Sequence, residues 1–397
     1  MEKYTIYEQL LNLPTLSIDN VLLSDKSITI TCHVTSPSHI CPNCGQACER
    51  VNQYYTRTIR DLNMGSRYVY LAVKVRQFIC NSCNRYFTET LDFADLNKDY
   101  THRQEYFMFC IARKQSYTET AAIFDVSPKT VERIVLSKCD KIIELENRYA
   151  NVKRLGIDEH SHKKGKKDYL CVLTDLDKGT IIDLLPDRKK ETLIAHFQGL
   201  GTDFCNQITD VACDYWDAYI STSQTCFPNA RIILDRFHIT KLLNQPLDVF
   251  RKEIRKNDKD IEPYKKLKWI LFKQYHTLSD KQLDALHKAF ELCPDLKKIY
   301  FAREQFHHIL DNSNTVQKAL CGIQDWTAML AKNQITVFQH FVKTLHKTKE
   351  FVANYVQDYL SNAVTEGLNN LIRSVRRTAF GMTNFNNLRL RVLAISN

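Results

Sequence analysis

Two cysteine pairs, Cys41-Pro-Asn-Cys44 and Cys80-Asn-Ser-Cys83, constrain this chain more than any other feature. A CxxC turn presents two thiolates to one side, and two such turns complete a closed tetrahedral site for a structural Zn²⁺ ion. The 35 residues between the pairs exceed the commonest finger spacing. They include the strand-like run YVYLAVKVRQFIC, as a zinc ribbon built on a small sheet requires. The competing reading, two unrelated CxxC pairs, is disfavoured by the matched spacing and by Gly45 directly after the first turn. Cys48, His33 and His39 are nearby and read as bystanders. The remaining cysteines stand in apolar text, as at Cys110, Cys171, Cys205 and Cys213, which suits reduced core thiols better than a disulfide framework.

A chain of 397 residues exceeds one ordinary core, and its 44% hydrophobic content leaves room for several. Lys and Arg number 55 against 45 Asp and Glu, a formal net charge of +10 that suits a polyanionic partner. The opening MEKYTIYEQLLNLPTL lacks a basic stretch followed by an apolar core, and nowhere do about 18 apolar residues run together. The expectation is a soluble, cytoplasmic protein without a membrane partner.

The text divides into an N-terminal segment (1–36), the zinc ribbon (37–100), a helical stretch (101–150), a strand-rich stretch (151–238), a long charged helical stretch (239–350) and a closing segment (351–397). In the third of these, YTETAAIFDVSPKTVERIVLSKC spells a helix-turn-helix. Tyr117 to Phe124 is the first helix, with Ala121 and Ala122 small enough for close packing. Asp125 to Ser127 turns the chain, Ser127 is an N-cap, and Pro128 takes the first helical position. Val131, Ile134 and Val135 form the buried face of the second helix. Lys129, Thr130, Glu132 and Arg133 are left at the end that would enter a DNA major groove. A generic three-helix bundle is the alternative; the ribbon and the positive charge favour DNA binding.

Asp158 ends the strand VKRLGID and Asp214 ends QITDVACD. Strand, hairpin, third strand, helix, fourth strand is the order of a ribonuclease H-like domain, where the ends of the first and fourth strands lie side by side. Two carboxylates there, with a third from a late helix, make an oxygen-rich site for Mg²⁺ or Mn²⁺. The third candidate is Glu366 in SNAVTEGLNNLIRSVRRTAFG, at the head of a strip with five arginines and no acid from Gly367 to Asn397. Val364, Leu368, Leu371, Ile372 and Val375 form the expected buried stripe of that helix. Glu366 lies off the stripe, free to face a metal, with Arg373, Arg376 and Arg377 behind it to hold a DNA backbone. Taken singly, Glu366 reads more readily as a solvated helix-start charge, and each strand-end Asp more readily as a turn residue; only the three in this order shift the balance.

The motifs together resemble the bacterial insertion-sequence transposases of the ISL-three group, in the DDE superfamily. The resemblance rests on the cysteine pairs, RTIRDL, the helix-turn-helix, GIDEHSHKKGKKDYLCVLTD, ACDYWDAY, PNARIILDRFH and SNAVTEGLNN, and runs over nearly the whole length. It departs where the chain ends soon after LRLRVLAISN. The resemblance implies a catalytic triad at Asp158, Asp214 and Glu366, and makes residues 239–350 an insertion before the Glu helix. The expected fold is therefore a multidomain α/β chain: zinc ribbon, helix-turn-helix, and a ribonuclease H-like mixed-sheet catalytic domain interrupted by a long all-helical insertion. The expected partners are double-stranded DNA, as terminal inverted repeats and target, and further copies of the chain in a homodimer or higher oligomer at the nucleoid.

DRFH supplies a rival ligand, Asp235, which follows the fifth strand and reads also as orienting Arg236 or capping the next helix. His238 reads as an assistant at the site, a phosphate ligand or a packed helix-start histidine. His160 and His162 alternate like a weak metal pair, but Lys163, Lys164, Lys166 and Lys167 behind them favour a basic hairpin near DNA. Three function classes follow: a transposase, a DNA-binding regulator, and an inactive relative that keeps the fold. The three acids, and more than 200 residues beyond the DNA-binding segments, favour the first.

Overall fold

In the computed structural model, residues 4–143, 148–163, 168–257, 267–379 and 384–396 are described. The chain divides into two compact units, Met1–Ile142 with Arg377–Gly381, and Ile143–Arg376 with Met382–Asn397.

The first unit contains strands β1 (Leu16–Leu23), β2 (Ser27–Val34), β3 (His39–Ile40), β4 (Ala47–Cys48), β5 (Val51–Met64), β6 (Arg67–Ile79) and β7 (Tyr86–Thr88). Its main sheet runs β1-β2-β6-β5, with β7 on β6, while β3 and β4 form a separate pair. Alternation sets the faces: Ile28, Ile30 and Cys32 of β2 are buried with Val69, Leu71, Val73 and Val75 of β6 and Ile59 of β5. Each such side chain contributes roughly 1.5–3 kcal/mol by leaving water. Because β2 pairs in parallel with β6, residues before the first CxxC share one sheet with the strands between the two pairs.

Three helices follow, His102–Ala112, Tyr117–Phe124 and Pro128–Ile142. The second starts at a capping box between Ser116 and Glu119 and stops at Asp125, whose φ of +51° ends helical winding. Ser127 Oγ accepts from Thr130 N–H at 3.1 Å, so the third helix begins with the expected cap and proline. Val131, Ile134 and Val135 are buried, as is Ala121; Ala122 faces solvent, so only one of the two alanines packs.

The second unit holds β8 (Arg154–Lys163), β9 (Asp168–Asp175), β10 (Thr180–Leu185), β11 (Asp210–Cys213) and β12 (Arg231–Leu234), in the order β10-β9-β8-β11-β12. The first three form an antiparallel meander. A helix, Lys190–Gly199, then carries the chain across so that β11 joins β8 in parallel, and β12 joins β11 the same way. All four residues of β11 are buried, as befits an inner parallel strand.

After β12 come the helices Arg236–Asn257, Leu267–Leu271, Asp280–Leu292, Pro294–Asn312, Val316–Lys332, Gln339–Ala353 and Tyr355–Asp358. They do not form a separate body. Leu243, Phe306, Trp326, Phe341 and Val352 belong to the same apolar cluster as Ile232 and Leu234 of β12. The buried Arg303 is satisfied within the helices by Asn244 Oδ1 at 2.7 Å and the carbonyls of Phe272 and Lys273 at 2.6 and 3.1 Å. The closing helix Ala363–Thr378 and the helix Phe385–Ile395 end the described chain.

Candidate active site and zinc cluster

Cys41, Cys44, Cys80 and Cys83 come together, with Sγ atoms of Cys41 and Cys83 3.7 Å apart and those of Cys44 and Cys80 3.5 Å apart. Four thiolates about 2.3 Å from one zinc ion have this spacing. The two turns share one backbone plan. In each, an N–H after the second cysteine returns to the first cysteine's carbonyl, Gly45 to Cys41 at 2.9 Å and Asn84 to Cys80 at 2.8 Å. Gly45 and Asn84 both take positive φ, so the asparagine does in the second knuckle what glycine does in the first. The bystanders are engaged elsewhere: His33 with Asp19 and His39 with Thr90. Cys48 is buried beside the cluster, outside the four-sulfur group.

In the second unit, strand register aligns three acids. Cys213 is paired with Ile157 on one side and Leu234 on the other, so the next residues, Asp158, Asp214 and Asp235, stand level on adjacent parallel strands. Asp214 and Asp235 follow the ends of β11 and β12, but Asp158 does not end its strand as expected: β8 continues to Lys163 and pairs Asp158 with Val172 of β9, because the hairpin extends the ladder past the apolar run. All three are buried, at 8%, 6% and 5% exposure. Burial and then the adjacent Asp214 charge push the Asp158 carboxyl up to about 8. Glu159 N–H donates to Asp158 Oδ1 at 2.7 Å, and Asn369 Nδ2 donates to its Oδ2 at 2.8 Å. The Asp214 Oδ1 atom is buried without a hydrogen-bond partner among the described residues. A buried carboxylate oxygen beside two further acids fits a divalent cation.

The closing helix packs differently from the apolar stripe expected of it. Ile372 and Val375 are buried, but Val364 is 42% exposed, and Leu368 and Leu371 are only partly covered. The buried face of its first turns is polar. Thr365 Oγ1 donates to Asn362 Oδ1 at 2.5 Å and meets Thr174 Oγ1 at 3.0 Å; Asn362 Nδ2 reaches the Ile157 carbonyl at 3.2 Å. Asn369 links Asp158 to His160, whose Nδ1 is 3.1 Å from Asn369 Oδ1. Hydrogen bonds to the sheet edge, rather than apolar burial, set the helix's rotation. Gly156 permits this approach, because a Cβ there would stand 2.1 Å from Thr174 Oγ1 and 2.8 Å from Asn362 Oδ1.

Glu366, beside Thr365 and one turn from Asn362 and Asn369, is exposed and lines the same cleft as Asp158, Asp214, Asp235 and His238. That cleft has a volume of about 450 Å³. Asp235 does not orient Arg236: its Oδ1 accepts from Asn362 N–H at 3.0 Å, tying down the entry to the closing helix. Arg236 pairs with Asp311 and lies near the Tyr355 ring. His238 Nδ1 is 2.8 Å from Asp214 Oδ1 and 3.3 Å from Asp235 Oδ2. Burial alone would lower its pKa, but the two carboxylates outweigh burial and hold it at about 9. At the cleft's other wall Glu159 pairs with Arg188, whose guanidinium lies 4.1 Å from the Tyr169 ring centre and 4.0 Å from that of Trp216.

The expected basic residues stand on different elements. Lys129 and Arg133 are exposed on their helix, while Thr130 turns its hydroxyl to Ser127 at 2.9 Å. Arg373 and Arg377 are exposed, and Arg376 donates to the Ser161 carbonyl at 2.8 Å. Lys164, Lys166 and Lys167 lie outside the described residues, and Lys163 is described by its backbone alone. His160 is buried at the site rather than displayed on a basic hairpin. Gly156, Asn362, Thr365 and Asn369 are the residues that pattern reading missed; their signal is small and polar side chains inside GID and SNAVTEGLNN, where an apolar face was sought.

A mixed sheet with clustered acids, in a chain that also carries a four-cysteine cluster, defines a two-part α/β protein with an acidic cleft. The family pattern described as "Transposase", of the ISL3 kind, matches residues 155–392, and one described as "zinc-finger of transposase IS204/IS1001/IS1096/IS1165" matches residues 37–83. The chain belongs to the ISL3 family of transposases. It is 22% identical over 361 residues to the transposase for insertion sequence element IS1001 of Bordetella parapertussis, covering 90% of this chain and 88% of that one. It is 24% identical over 384 residues to the transposase for insertion sequence element IS1557 of Mycobacterium tuberculosis (strain CDC 1551 / Oshkosh), covering 89% and 85%. Among the described residues no helix is long and apolar enough to cross a membrane.

Proposed function

We propose that this chain is a DNA transposase that binds the terminal inverted repeats of an insertion sequence, cleaves a phosphodiester to free a 3′-OH, and joins that end to target DNA. The second unit acts as a ribonuclease H-like catalytic domain with Asp158, Asp214 and Glu366 as its metal-binding triad. The observation that carries this reading is that Asp158 and Asp214 directly follow paired residues of adjacent parallel strands, in a cleft that Glu366 also lines.

Mg²⁺ or Mn²⁺ held by these carboxylates would supply an activated oxygen nucleophile and stabilise the leaving oxygen. The protein's own part is to fix the ligands beforehand. Asn369 and Glu159 N–H groups hold both Asp158 oxygens, which removes the carboxylate's rotational freedom. Asp235 fastens the start of the helix that carries Glu366. Arg373, Arg376 and Arg377 extend from the same helix and give the DNA backbone its positive rail. Substrate recognition falls to the first unit: the helix Pro128–Ile142 would enter the major groove with Lys129, Thr130 and Arg133 at its leading end, as in a helix-turn-helix. Four cysteines close a structural zinc site that keeps the ribbon folded.

Incubating the purified protein with an oligonucleotide carrying one end of its element tests this. Strand cleavage that requires added Mg²⁺ or Mn²⁺ is expected. Tight, sequence-specific binding with no cleavage under any divalent ion would leave a DNA-binding regulator in its place.

A further inference from the structure

The triad accounts for Asp158, Asp214 and Glu366 but leaves His238 and the facing side of Asp214 without a task. We infer that Asp214, Asp235 and His238 form a second cation seat, with Asp214 shared between it and the triad. The inference rests on the proposed reading of Asp214 as a metal ligand.

One Nδ1 and two carboxylate oxygens lie within 4.8 Å of one another. Two of the separations are 2.8 Å, His238 Nδ1 to Asp214 Oδ1, and 3.3 Å, His238 Nδ1 to Asp235 Oδ2. In an octahedral complex with bonds of about 2.1 Å, neighbouring donors stand about 3.0 Å apart. The two separations from His238 Nδ1 are close to that spacing, and the two carboxylate oxygens lie within 4.8 Å of each other. Asp214 Oδ1, on a residue only 6% exposed, faces His238 Nδ1 and is turned into the cluster rather than to water.

The elements make the seat rigid. Asp214 and Asp235 follow paired residues of β11 and β12, and His238 occupies the first turn of the helix that starts at Arg236. Asp235 keeps its Oδ1 on Asn362 N–H, which leaves Oδ2 to face the seat. The ligand set, two oxygens and one imidazole nitrogen, suits a divalent first-row ion such as Mn²⁺ better than an all-oxygen set would, because imidazole is the softer donor. On binding, the ion takes the place of the proton on Nδ1, which leaves to solvent.

The test uses the full-length, zinc-loaded protein titrated with Mn²⁺, with free Mn²⁺ followed by electron paramagnetic resonance and bound Mn²⁺ by its coupling to imidazole nitrogen. Wild type should show that nitrogen coupling. His238→Ala and His238→Gln should abolish it and weaken one class of Mn²⁺ site by at least roughly tenfold. Asp235→Asn should weaken the same class. Glu366→Gln and Asp158→Asn should keep the coupling while weakening the other class. Nitrogen coupling absent from wild type, or Mn²⁺ binding unchanged in both correctly folded His238 variants, overturns the inference. If Glu366→Gln and Asp158→Asn bind Mn²⁺ and cleave DNA as wild type does while His238 coupling persists, the triad reading falls and the His238 seat stands.

Discussion

At Gly156 the absence of a side chain decides how near the closing helix can come to the sheet. A methyl group there would press into Thr174 Oγ1, Asn362 Oδ1 and Leu176 Cδ2, at 2.1, 2.8 and 2.8 Å. Gly156→Ala should therefore cost about 1–3 kcal/mol of stability by overpacking and slow cleavage further by displacing Asn362 and Asn369. Thermal unfolding with a parallel cleavage assay checks this; a variant as stable and as active as wild type would mean that the contact is not constraining. The buried charges also make the metal-free protein sensitive to pH. Asp158, raised to about 8, favours its protonated form in the fold, so its share of stability falls as pH climbs from about 4 to about 8. His238, raised to about 9, contributes fully below about 6.5 and loses its contribution as pH rises through 9. Both act in one direction: melting temperature without divalent ions should drop from pH about 6 to about 9, and added Mn²⁺ should restore more at pH about 8 than at about 6. A flat profile would remove both groups from the stability account.

Among the elements, the cysteine knuckles and the capped helix Pro128–Ile142 were the most legible in sequence, because their chemistry is local. Two CxxC turns need only their neighbours, and Ser127 with Pro128 starts a helix whatever surrounds it. Asp214 and Asp235 follow the ends of β11 and β12, as an acid after an apolar run suggests, whereas Asp158 lies inside β8, whose polar continuation to Lys163 hid the strand's true length. The rotation of the closing helix was not legible. Hydrophobic periodicity pointed to Val364 and Leu368, whereas Asn362, Thr365 and Asn369 turn inward and bond to β8 and β9. A hydrogen-bonded polar face leaves no apolar trace. Two predictions belong at this scale. A Cys80→Ser, Cys83→Ser double variant should lose the roughly one zinc ion per chain that the four-cysteine site holds; unchanged zinc content would dissolve the cluster. Lys129→Ala with Arg133→Ala should weaken binding to the element's own end more than to random DNA, because base contacts specify. Equal loss on both would move these residues to the phosphate backbone.

In the whole chain, the long helical stretch was foreseen by its charge and lack of glycine, but its partnership with the sheet was hidden. Amphipathic helices announce that they bury a face, never against what; here Phe306, Trp326 and Phe341 continue the core of Ile232 and Leu234. That continuity bears on the proposed function, because the segment between Asp235 and Glu366 is packed into the core of the same unit that carries both residues. The central claim is that Asp158, Asp214 and Glu366 act together through bound divalent ions. Single-turnover cleavage of an element-end oligonucleotide at saturating protein, comparing wild type with Asp158→Asn, Asp214→Asn, Asp235→Asn and Glu366→Gln, addresses it most directly. Each triad change should leave DNA binding intact and remove on the order of 3–4 kcal/mol of transition-state stabilisation, a rate loss of about two to three orders of magnitude. Asp235→Asn should be slowed by less. Cleavage by Glu366→Gln at a rate close to wild type would contradict the account.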